Sequence, residues 1–315
     1  MAASCTTQAE MTAQQRDALS SEARAVLGQM QTGDMLSLKA NTLPTVAADF
    51  SGIASAIQGF SPLLHNATIT VDDLYLLDNS TAPAGVSRVD FFCGSPVVTL
   101  NFSALPQGIY ALAILHATGV PQPQQVSLIL AQAANHWMFA GFYRKPMTEA
   151  GHSGLWYWVA ARKYAQTKMD WDAWIYYKVA MNLLDPLDFL SSQNLGKLRH
   201  EADQAHPQAF PGAQPMSLDA SGTNFRLTAI GTSTEFGGLD LDVHYLPDAT
   251  QAAQLQNAMA ARQQVTDVMK ALLQTHPELR SAFHGIWVHA DEGSNTLFAL
   301  ELPMAGIATG PGQRP

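Results

Sequence analysis

The sequence has few charged residues. Charged side chains make up 14% of its 315 residues, whereas about 25% is usual in a soluble domain. The formal charge of -9, from 17 basic and 26 acidic residues, provides no basic surface for neutralising phosphates, so no nucleic-acid partner is expected. The sequence also lacks an apolar run of the roughly 18 to 20 residues that a membrane-spanning helix needs.

The motifs of common catalytic sites are missing as well. The chain has no Gly-rich phosphate loop, no paired-cysteine zinc spacing and no nucleophile elbow. His200 and His206 are too far apart in sequence to face one metal from a helix, because their imidazoles would point about 240° apart. Asp240, Asp242 and His244 alternate and would share one face of a strand, which could hold a cation, but a strand with an inward apolar row gives the same pattern without a metal. We therefore predict no catalytic residue, no metal site and no cofactor.

At the N-terminus, the small residues Ala2 to Ser4 directly precede Cys5. This order resembles the cleavage site of a bacterial lipoprotein, where the signal peptide is removed. The resemblance implies a lipidated Cys5, a place in the cell envelope and membrane contact through that lipid alone. An ordinary flexible start with an incidental cysteine is the alternative. Since only Cys93 remains, a disulfide network is not expected, and an exported chain would keep Cys93 as a buried free thiol.

Residues 10–146 are predicted to form helices followed by an antiparallel sheet. Apolar residues at helical spacing, closed by Gly33, indicate a first helix, and a second is predicted over residues 46–58. Period-two alternation begins near Ala67, and the last two predicted strands read VSLILAQ and HWMFAGFYRKP. This order, with aromatic residues in the last strand, resembles the nuclear-transport-factor-like, cystatin-like cone fold. The resemblance implies helices on a curved antiparallel sheet that often encloses an apolar cavity.

Residues 147–206 are predicted to form a helical hairpin and one further helix. Among the 6 Trp and 8 Tyr of the chain, eight lie between Trp156 and Tyr177. The hairpin resembles a single tetratricopeptide repeat, with Trp156 and Tyr164 on its first helix and Trp171 opening the second. It departs from that pattern in a turn without Gly and in Ala180, which is one residue out of phase with the following proline. Because a lone repeat cannot bury its own faces, the aromatic side chains either pack against neighbouring domains, which we favour, or line a groove for a partner.

Residues 207–224 are rich in Pro, Gly, Ala and Ser and are predicted to be a linker. Residues 225–304 are predicted to form a ββαββ domain, in which one long helix, capped at Asp248 or Thr250, packs on a four-stranded antiparallel sheet. The predicted fold class is thus α+β, with an N-terminal cone of helices on a curved antiparallel sheet, a central helical hairpin and this C-terminal domain.

Two functions of different class fit the sequence. The first is a non-catalytic binding protein of the bacterial cell envelope, tethered through Cys5, that takes an apolar small molecule or a protein partner in the cone cavity or on the hairpin. The second is a small-molecule isomerase or dehydratase that uses His116 or an aspartate (Asp72, Asp73 or Asp90) in the cone cavity, because burial can bring such a pKa near working pH.

The position of these titratable groups separates the two functions. An open pocket into which Asp72, Asp90 or His116 points, with a second polar group in reach, would favour the enzyme. A cone filled by side chains would favour the binding protein. The hairpin prediction is that Trp156 and Trp174 are largely buried. The candidate binding residues are Asp90, His116, Trp137, Tyr143, Trp156, Trp158, Trp171 and Trp174.

Overall fold

The computed structural model describes residues 3–83, 85–94, 98–134, 136–220 and 222–308, so Ala2 of the predicted cleavage pattern lies outside it. The chain is α+β, as predicted. The helices are α1 (Ala13–Thr32), α2 (Met35–Ala40), α3 (Pro44–Ala47), α4 (Ser51–Leu64), α5 (Gly154–Gln166), α6 (Asp170–Leu184), α7 (Gln193–Gln204), α8 (Ala249–Gln254), α9 (Ala258–Thr275) and α10 (Leu279–Ala282). The strands are β1 (Ser4–Thr7), β2 (Thr68–Asp78), β3 (Arg88–Cys93), β4 (Val98–Ser103), β5 (Ile109–Thr118), β6 (Gln124–Ala133), β7 (His136–Pro146), β8 (Thr148–Glu149), β9 (His152–Ser153), β10 (Leu190–Ser191), β11 (Met216–Ala220), β12 (Thr223–Ser233), β13 (Asp240–Leu246), β14 (Gly285–Glu292) and β15 (Asn295–Pro303).

The chain divides into two compact units. Unit 1 comprises Met1–Thr148 and Met181–Lys197, and unit 2 comprises Glu149–Ala180 and Leu198–Pro315. Residues 147–206, predicted as a separate helical segment, therefore contribute to both units. Within the described ranges, no helix combines the length and the apolar character needed to cross a membrane.

Unit 1 is built on an antiparallel sheet whose described strands run in the order β1-β2-β5-β6-β7. Helices α1 and α4 pack on one face, and a smaller sheet, β10-β4-β3, contributes to a second apolar cluster on the other. Strand β5 is apolar along almost its whole length because both of its faces are covered. The helix-side cluster includes Leu19, Val26, Leu27, Met30, Ile57, Phe60, Leu74, Leu115, Leu128 and Phe139.

Helix α1 confirms the helical period found in the sequence. Its buried residues include Leu19, Ala23 and Met30, and Gly33 ends it in the left-handed region at φ 70°. At the other end, Thr12 and Gln15 form a capping box that satisfies backbone N–H groups of the first turn. Residues 46–58, predicted as one helix, instead fall in the separate helices α3 and α4.

Cys5 and Cys93 form a disulfide. The expectation of a free thiol at Cys93 is therefore wrong. The same bond occupies the Cys5 sulfur, which cannot carry both a disulfide and the thioether-linked lipid that the N-terminal resemblance implies. Cys5 lies on β1, which pairs with β2, and Cys93 ends β3. The sequence carries no signal of this pairing, because it depends on strands that are far apart along the chain.

Unit 2 contains a mixed sheet whose described strands run in the order β11-β12-β13-β14-β15. The prediction of four antiparallel strands is wrong in two ways. First, β11 adds a strand from within residues 207–224, so that part of the predicted linker is ordered against β12. Second, β13 and β14 are parallel, because the helical segment between them returns the chain to the same end of the sheet, as parallel neighbours require.

The helical segment of unit 2 is interrupted. Asp248, one of the two predicted caps, begins α8 with a capping box, but Asn257 caps a second helix, α9, where one long helix was expected. Helix α9 buries Val265, Met269 and Leu272. It packs against one face of the sheet, which leaves the polar side chains of β13 and β14 on the other.

Candidate functional site

An apolar groove of about 650 Å³ lies in unit 1 beside strand β7. The segment between α2 and α3 forms one wall and is fixed to β7 by backbone hydrogen bonds: Leu43 N–H donates to Phe139 O at 2.8 Å, and Phe139 N–H donates to Asn41 O at 2.8 Å. The lining residues are Leu43, Thr45, Val46, Gly52, Ile53, Ala56, Phe102, Leu105, Pro106, Tyr110, Ile129, Ala140, Gly141, Phe142, Tyr143 and Arg144. The groove is thus mostly apolar.

Two polar side chains that line the groove, Arg144 and Tyr110, contact neighbouring residues. Arg144 is exposed and lies with its guanidinium carbon 5.3 Å from the centre of the Phe60 ring. Burial raises the pKa of Tyr110, whose hydroxyl donates to the Pro106 carbonyl at 3.0 Å. Neither contact forms the acid–base pair that proton transfer from a substrate needs.

Asp90 and His116, two predicted binding residues, do not line this groove. Asp90 accepts hydrogen bonds from Arg88 Nε at 2.8 Å and Asn101 Nδ2 at 2.7 Å, and these bonds lower its pKa. His116 Nε2 lies 3.3 Å from Gln125 Oε1 and 3.8 Å from a carboxylate oxygen of the exposed Asp72. The pocket geometry that would have favoured the enzyme is therefore not found in the described groove.

Trp137 and Tyr143, both on β7, have different environments. Trp137 is half-buried against the helix-side cluster. Tyr143 lines the groove, is 48% exposed and has its ring 5.3 Å from that of Phe189. Of the two, Tyr143 is placed for contact with a ligand.

The predicted aromatic residues of the hairpin also separate into two groups. Trp156 is 43% exposed, so the prediction that it is largely buried is wrong. Its ring stacks on His152 with the ring centres 3.7 Å apart. Trp171 is buried, with its ring centre 3.9 Å from that of His276, whereas Trp174 is only half-buried, beside His206.

Trp158 belongs to a polar network centred on Glu201. The Trp158 indole N–H and Arg162 Nε each donate to Glu201 Oε2 at 2.7 Å, and a second Arg162 nitrogen donates to Oε1 at 2.9 Å. Arg162 also lies over the Trp158 ring. Burial, followed by the Glu201 charge, raises the pKa of Tyr177 to about 12. This network fixes α5 to α7 and gives Trp158 a structural role.

A second, smaller cavity of about 310 Å³ lies within unit 2. Trp156, Tyr157 and Tyr176 are among the residues that line it, and so are His284 and its close neighbour Gly238. Gly238 is required there, because a Cβ atom at this position would overlap the His284 side chain. We call this cavity the aromatic cleft.

The sheet face of unit 2 opposite α9 brings together Asp242, His244, His289 and Asp291. The parallel register sets His244 directly beside His289, and their rings stack with centres 4.6 Å apart. Asp242 Oδ1 lies 3.3 Å from His244 Nε2 and 3.1 Å from His289 Nε2, and His244 Nδ1 lies 2.6 Å from Asp291 Oδ2. We call these four residues the Asp–His cluster.

The charges within the Asp–His cluster influence one another. The Asp242 carboxylate, and to a smaller extent Asp291, raise the pKa of His244 to about 9 against the opposing effect of burial. Burial lowers the pKa of His289. Burial opposes ionisation of Asp291, but hydrogen bonds from Thr296 and His244 outweigh it and lower its pKa.

Asp240, the first residue of the alternating row seen in the sequence, joins a different group. It is fully buried, and its Oδ1 lies 2.9 Å from His284 Nδ1 at the edge of the aromatic cleft. Glu301 on β15 completes this second group of closely spaced ligand atoms. The row of Asp240, Asp242 and His244 is therefore shared between two clusters.

Sequence reasoning missed His289, Asp291, His284 and Glu301. One signal was present, because His289 and Asp291 alternate on a strand as Asp242 and His244 do. Nothing local indicates that the two strands are parallel neighbours, so the second pair could not be placed beside the first.

Comparison of the chain with family models, with curated proteins and with solved structures gives no match. Function therefore has to be inferred from the geometry of the chain's own residues.

Proposed function

We propose that this protein is a non-catalytic binding protein whose groove in unit 1 receives an apolar small molecule. The observation that carries the proposal is the groove itself. Its volume of about 650 Å³ lies within the range of roughly 300–1,000 Å³ that is usual for small-molecule sites, and its lining is predominantly apolar, as in such sites. Tyr143 and Phe142 offer ring faces to a ligand at low entropic cost.

Arg144 indicates the polar part of the ligand. Among the described residues that line the groove, Arg144 alone is charged, and its side chain is exposed. A guanidinium binds carboxylate, sulfate or phosphate groups through paired hydrogen bonds. The ligand class we propose is an amphiphile with one anionic group at Arg144 and an apolar body along Ile53 and Phe142.

The same arrangement favours binding over catalysis. We propose that unit 1 is a variant of the cone fold, whose sheet is bent by the register shifts at Val71/Asp73 and Ile129/Leu130. Buried side chains occupy the space between this sheet and α1 and α4, so the groove lies beside the cone core. Asp90 and His116 lie away from the groove, so the groove itself contains neither of these candidate residues of an isomerase or dehydratase.

The disulfide supports a location outside the cytosol. Disulfides persist in oxidising compartments such as the periplasm and are rare in the cytosol. We therefore propose that the protein acts in an oxidising compartment, the cell envelope of a bacterium. Attachment through Cys5 forms no part of this proposal.

A protein partner is the second candidate, and one observation favours it. Leu155, Trp156 and Val159 are exposed on α5. Exposed apolar side chains that cluster on one helix are typical of docking surfaces. The exposed residues of α5 and the residues that line the groove are different sets, so substitutions can test the two candidates separately.

Direct binding of a fluorescent probe tests the groove. The anionic, apolar probe anilinonaphthalene sulfonate would be titrated into the wild type and into Ala56→Trp, which fills the groove from α4, with Ser55→Trp as a matched control. Ser55 is also exposed on α4 but does not line the groove. We expect Ala56→Trp to abolish saturable probe binding and Ser55→Trp to retain it. Equal binding by the wild type and both variants would place the probe elsewhere and refute the proposal.

A further inference from the structure

The Asp–His cluster carries an inference that is independent of the groove. We propose that Asp242, His244 and His289 bind a divalent transition-metal ion of the Zn²⁺ class, and that Asp291 orients His244 as a ligand. Asp242 and His244 come from β13, and His289 and Asp291 come from the parallel neighbour β14. All four side chains therefore project from rigid strands on the same face of the sheet, which fixes their separation.

The spacing of the ligand atoms matches a metal site. Zn²⁺ bonds to His nitrogen and to carboxylate oxygen are about 2.0–2.2 Å, so two ligands of a tetrahedral ion lie about 3.3–3.5 Å apart. Asp242 Oδ1 lies 3.3 Å from His244 Nε2 and 3.1 Å from His289 Nε2. All three ligand atoms lie within 4.8 Å of one another. A modest ring rotation that brings the two imidazole nitrogens together would complete the set.

Two of these atoms are buried and face each other. Asp242 Oδ1 and His289 Nε2 are both buried and, among the described residues, make no hydrogen bond of good geometry. Buried polar atoms are satisfied in the large majority of cases, so an unsatisfied pair facing each other calls for an explanation. A cation between them would accept a lone pair from each and remove the cost of burying them.

Asp291 supplies the second layer of the site. Its carboxylate oxygen lies 2.6 Å from His244 Nδ1, and its other oxygen accepts from Thr296 Oγ1 at 2.7 Å. With a proton held on Nδ1, the Nε2 lone pair of His244 is directed toward Asp242. Carboxylate groups hold metal-ligating histidines in this way in many metal sites.

The donor set selects the kind of ion. Two imidazoles and one carboxylate suit Zn²⁺ and its neighbours among the transition metals, whereas Mg²⁺ and Ca²⁺ prefer oxygen ligands throughout. Three protein ligands leave a coordination position for water or another small ligand. Partial exposure of Asp242 and His244, with side chains 27% and 31% accessible, leaves that position open to solvent.

A chain of hydrogen bonds is the competing explanation for the same geometry. A doubly protonated His244 would bridge Asp242 and Asp291, and no metal would be needed. A proton and a metal ion compete for the same Nε2 atom, so direct metal titration distinguishes the two explanations.

The test uses the full chain without a histidine tag, stripped with a chelator and titrated with Zn²⁺ by calorimetry. We expect one Zn²⁺ equivalent to bind to the Asp–His cluster. The affinity should fall by more than about 100-fold in His289→Gln, which loses a ligand, and by about 10- to 100-fold in Asp291→Asn, which loses only the orienting group. Mg²⁺ should not compete. His284→Gln, in the neighbouring cluster of Asp240 and Glu301, is the matched control and should retain the affinity.

Three results would overturn the proposal. These are no Zn²⁺ binding by the wild type, equal affinity in wild type and His289→Gln, and loss of binding in His284→Gln alone. Circular dichroism of each variant shows whether it is folded. If His289→Gln fails to fold, the d–d absorption of Co²⁺ bound to the wild type decides instead, because a tetrahedral site with nitrogen ligands differs in intensity from the hexa-aqua ion. A spectrum identical to that of aqueous Co²⁺ would also overturn the proposal.

Discussion

Cys5 and Cys93 are joined by a disulfide that connects the N-terminal strand of unit 1 to the end of β3, across a sequence separation of 88 residues. By the chain-entropy estimate, closing a loop of this length in the unfolded chain raises the free energy of unfolding by about 4–5 kcal/mol. We therefore expect Cys93→Ser, or reduction of the wild type, to lower the urea midpoint of unit 1 markedly.

The double variant Cys5→Ser/Cys93→Ser is the control for that experiment, and a reductant should not change its urea midpoint. Alkylation of the denatured, unreduced protein followed by mass spectrometry tests the bond directly. Two alkylated cysteines in freshly prepared protein would contradict it.

Arg144→Met tests the ligand class of the groove. The substitution keeps the apolar stem beside Phe60 and removes the charge, so affinity for an anionic amphiphile should fall about tenfold, the value of one charge-assisted hydrogen bond. Affinity for a neutral analogue of the same shape should be unchanged. Arg24→Met, on the exposed side of α1 and outside the groove lining, is the control. An equal loss for both ligands would show that Arg144 shapes the groove without recognising a charge.

Local sequence patterns predicted the local structure well. The spacing of Leu19, Ala23 and Met30 and the stop at Gly33 define α1 in the structure as they do in the sequence. Asp248 is the N-terminal capping residue of α8, and it was one of the two predicted for that helix. Such features depend on interactions within four residues, so the sequence contains them in full.

Relations between distant segments were not predictable in the same way. The pairing of Cys5 with Cys93, the parallel neighbours β13 and β14, and the meeting of Asp242 with His289 all depend on which strands lie side by side. No local signal encodes that choice. The alternating residues Asp242 and His244 could therefore be singled out from the sequence, whereas their contacts with His289 and Asp291 could be found only from the fold.

Trp156 and Trp171 should respond differently to truncation. Trp171 is buried against His276, so Trp171→Ala should lower the free energy of unfolding of unit 2 by about 3–5 kcal/mol. Trp156 is 43% exposed, so Trp156→Ala should change the free energy of unfolding of unit 2 by less than about 1 kcal/mol. Urea unfolding followed by circular dichroism measures both. A large loss in Trp156→Ala would show that its stacking on His152 stabilises the unit and would weaken the case for a docking surface on α5.

The pH dependence of unit 2 should reflect Asp172. This side chain is fully buried on α6, and neither carboxylate oxygen has a hydrogen-bond partner among the described residues. Burial, and then the negative charge of Glu278, raise its pKa from 3.8 to about 7. Burial raises the pKa values of Tyr164 and Tyr176, and the nearby Asp172 charge adds a smaller effect in the same direction.

The sign of the effect follows from proton binding. Between pH 4 and pH 7 the folded protein holds a proton on Asp172 that the unfolded chain releases, so the stability of the wild type falls as the pH rises through this window. Asp172→Asn removes the titrating group. Relative to the wild type, the variant should therefore gain stability from pH 5 to pH 8, by an amount on the order of 4 kcal/mol at most for a shift of this size. The control is Asp170→Asn, which changes an exposed acidic residue in the first turn of the same helix and should show no such gain.

Urea midpoints at several pH values provide the measurement. A constant difference between Asp172→Asn and the wild type across this range would mean that Asp172 keeps an ordinary pKa in the folded protein.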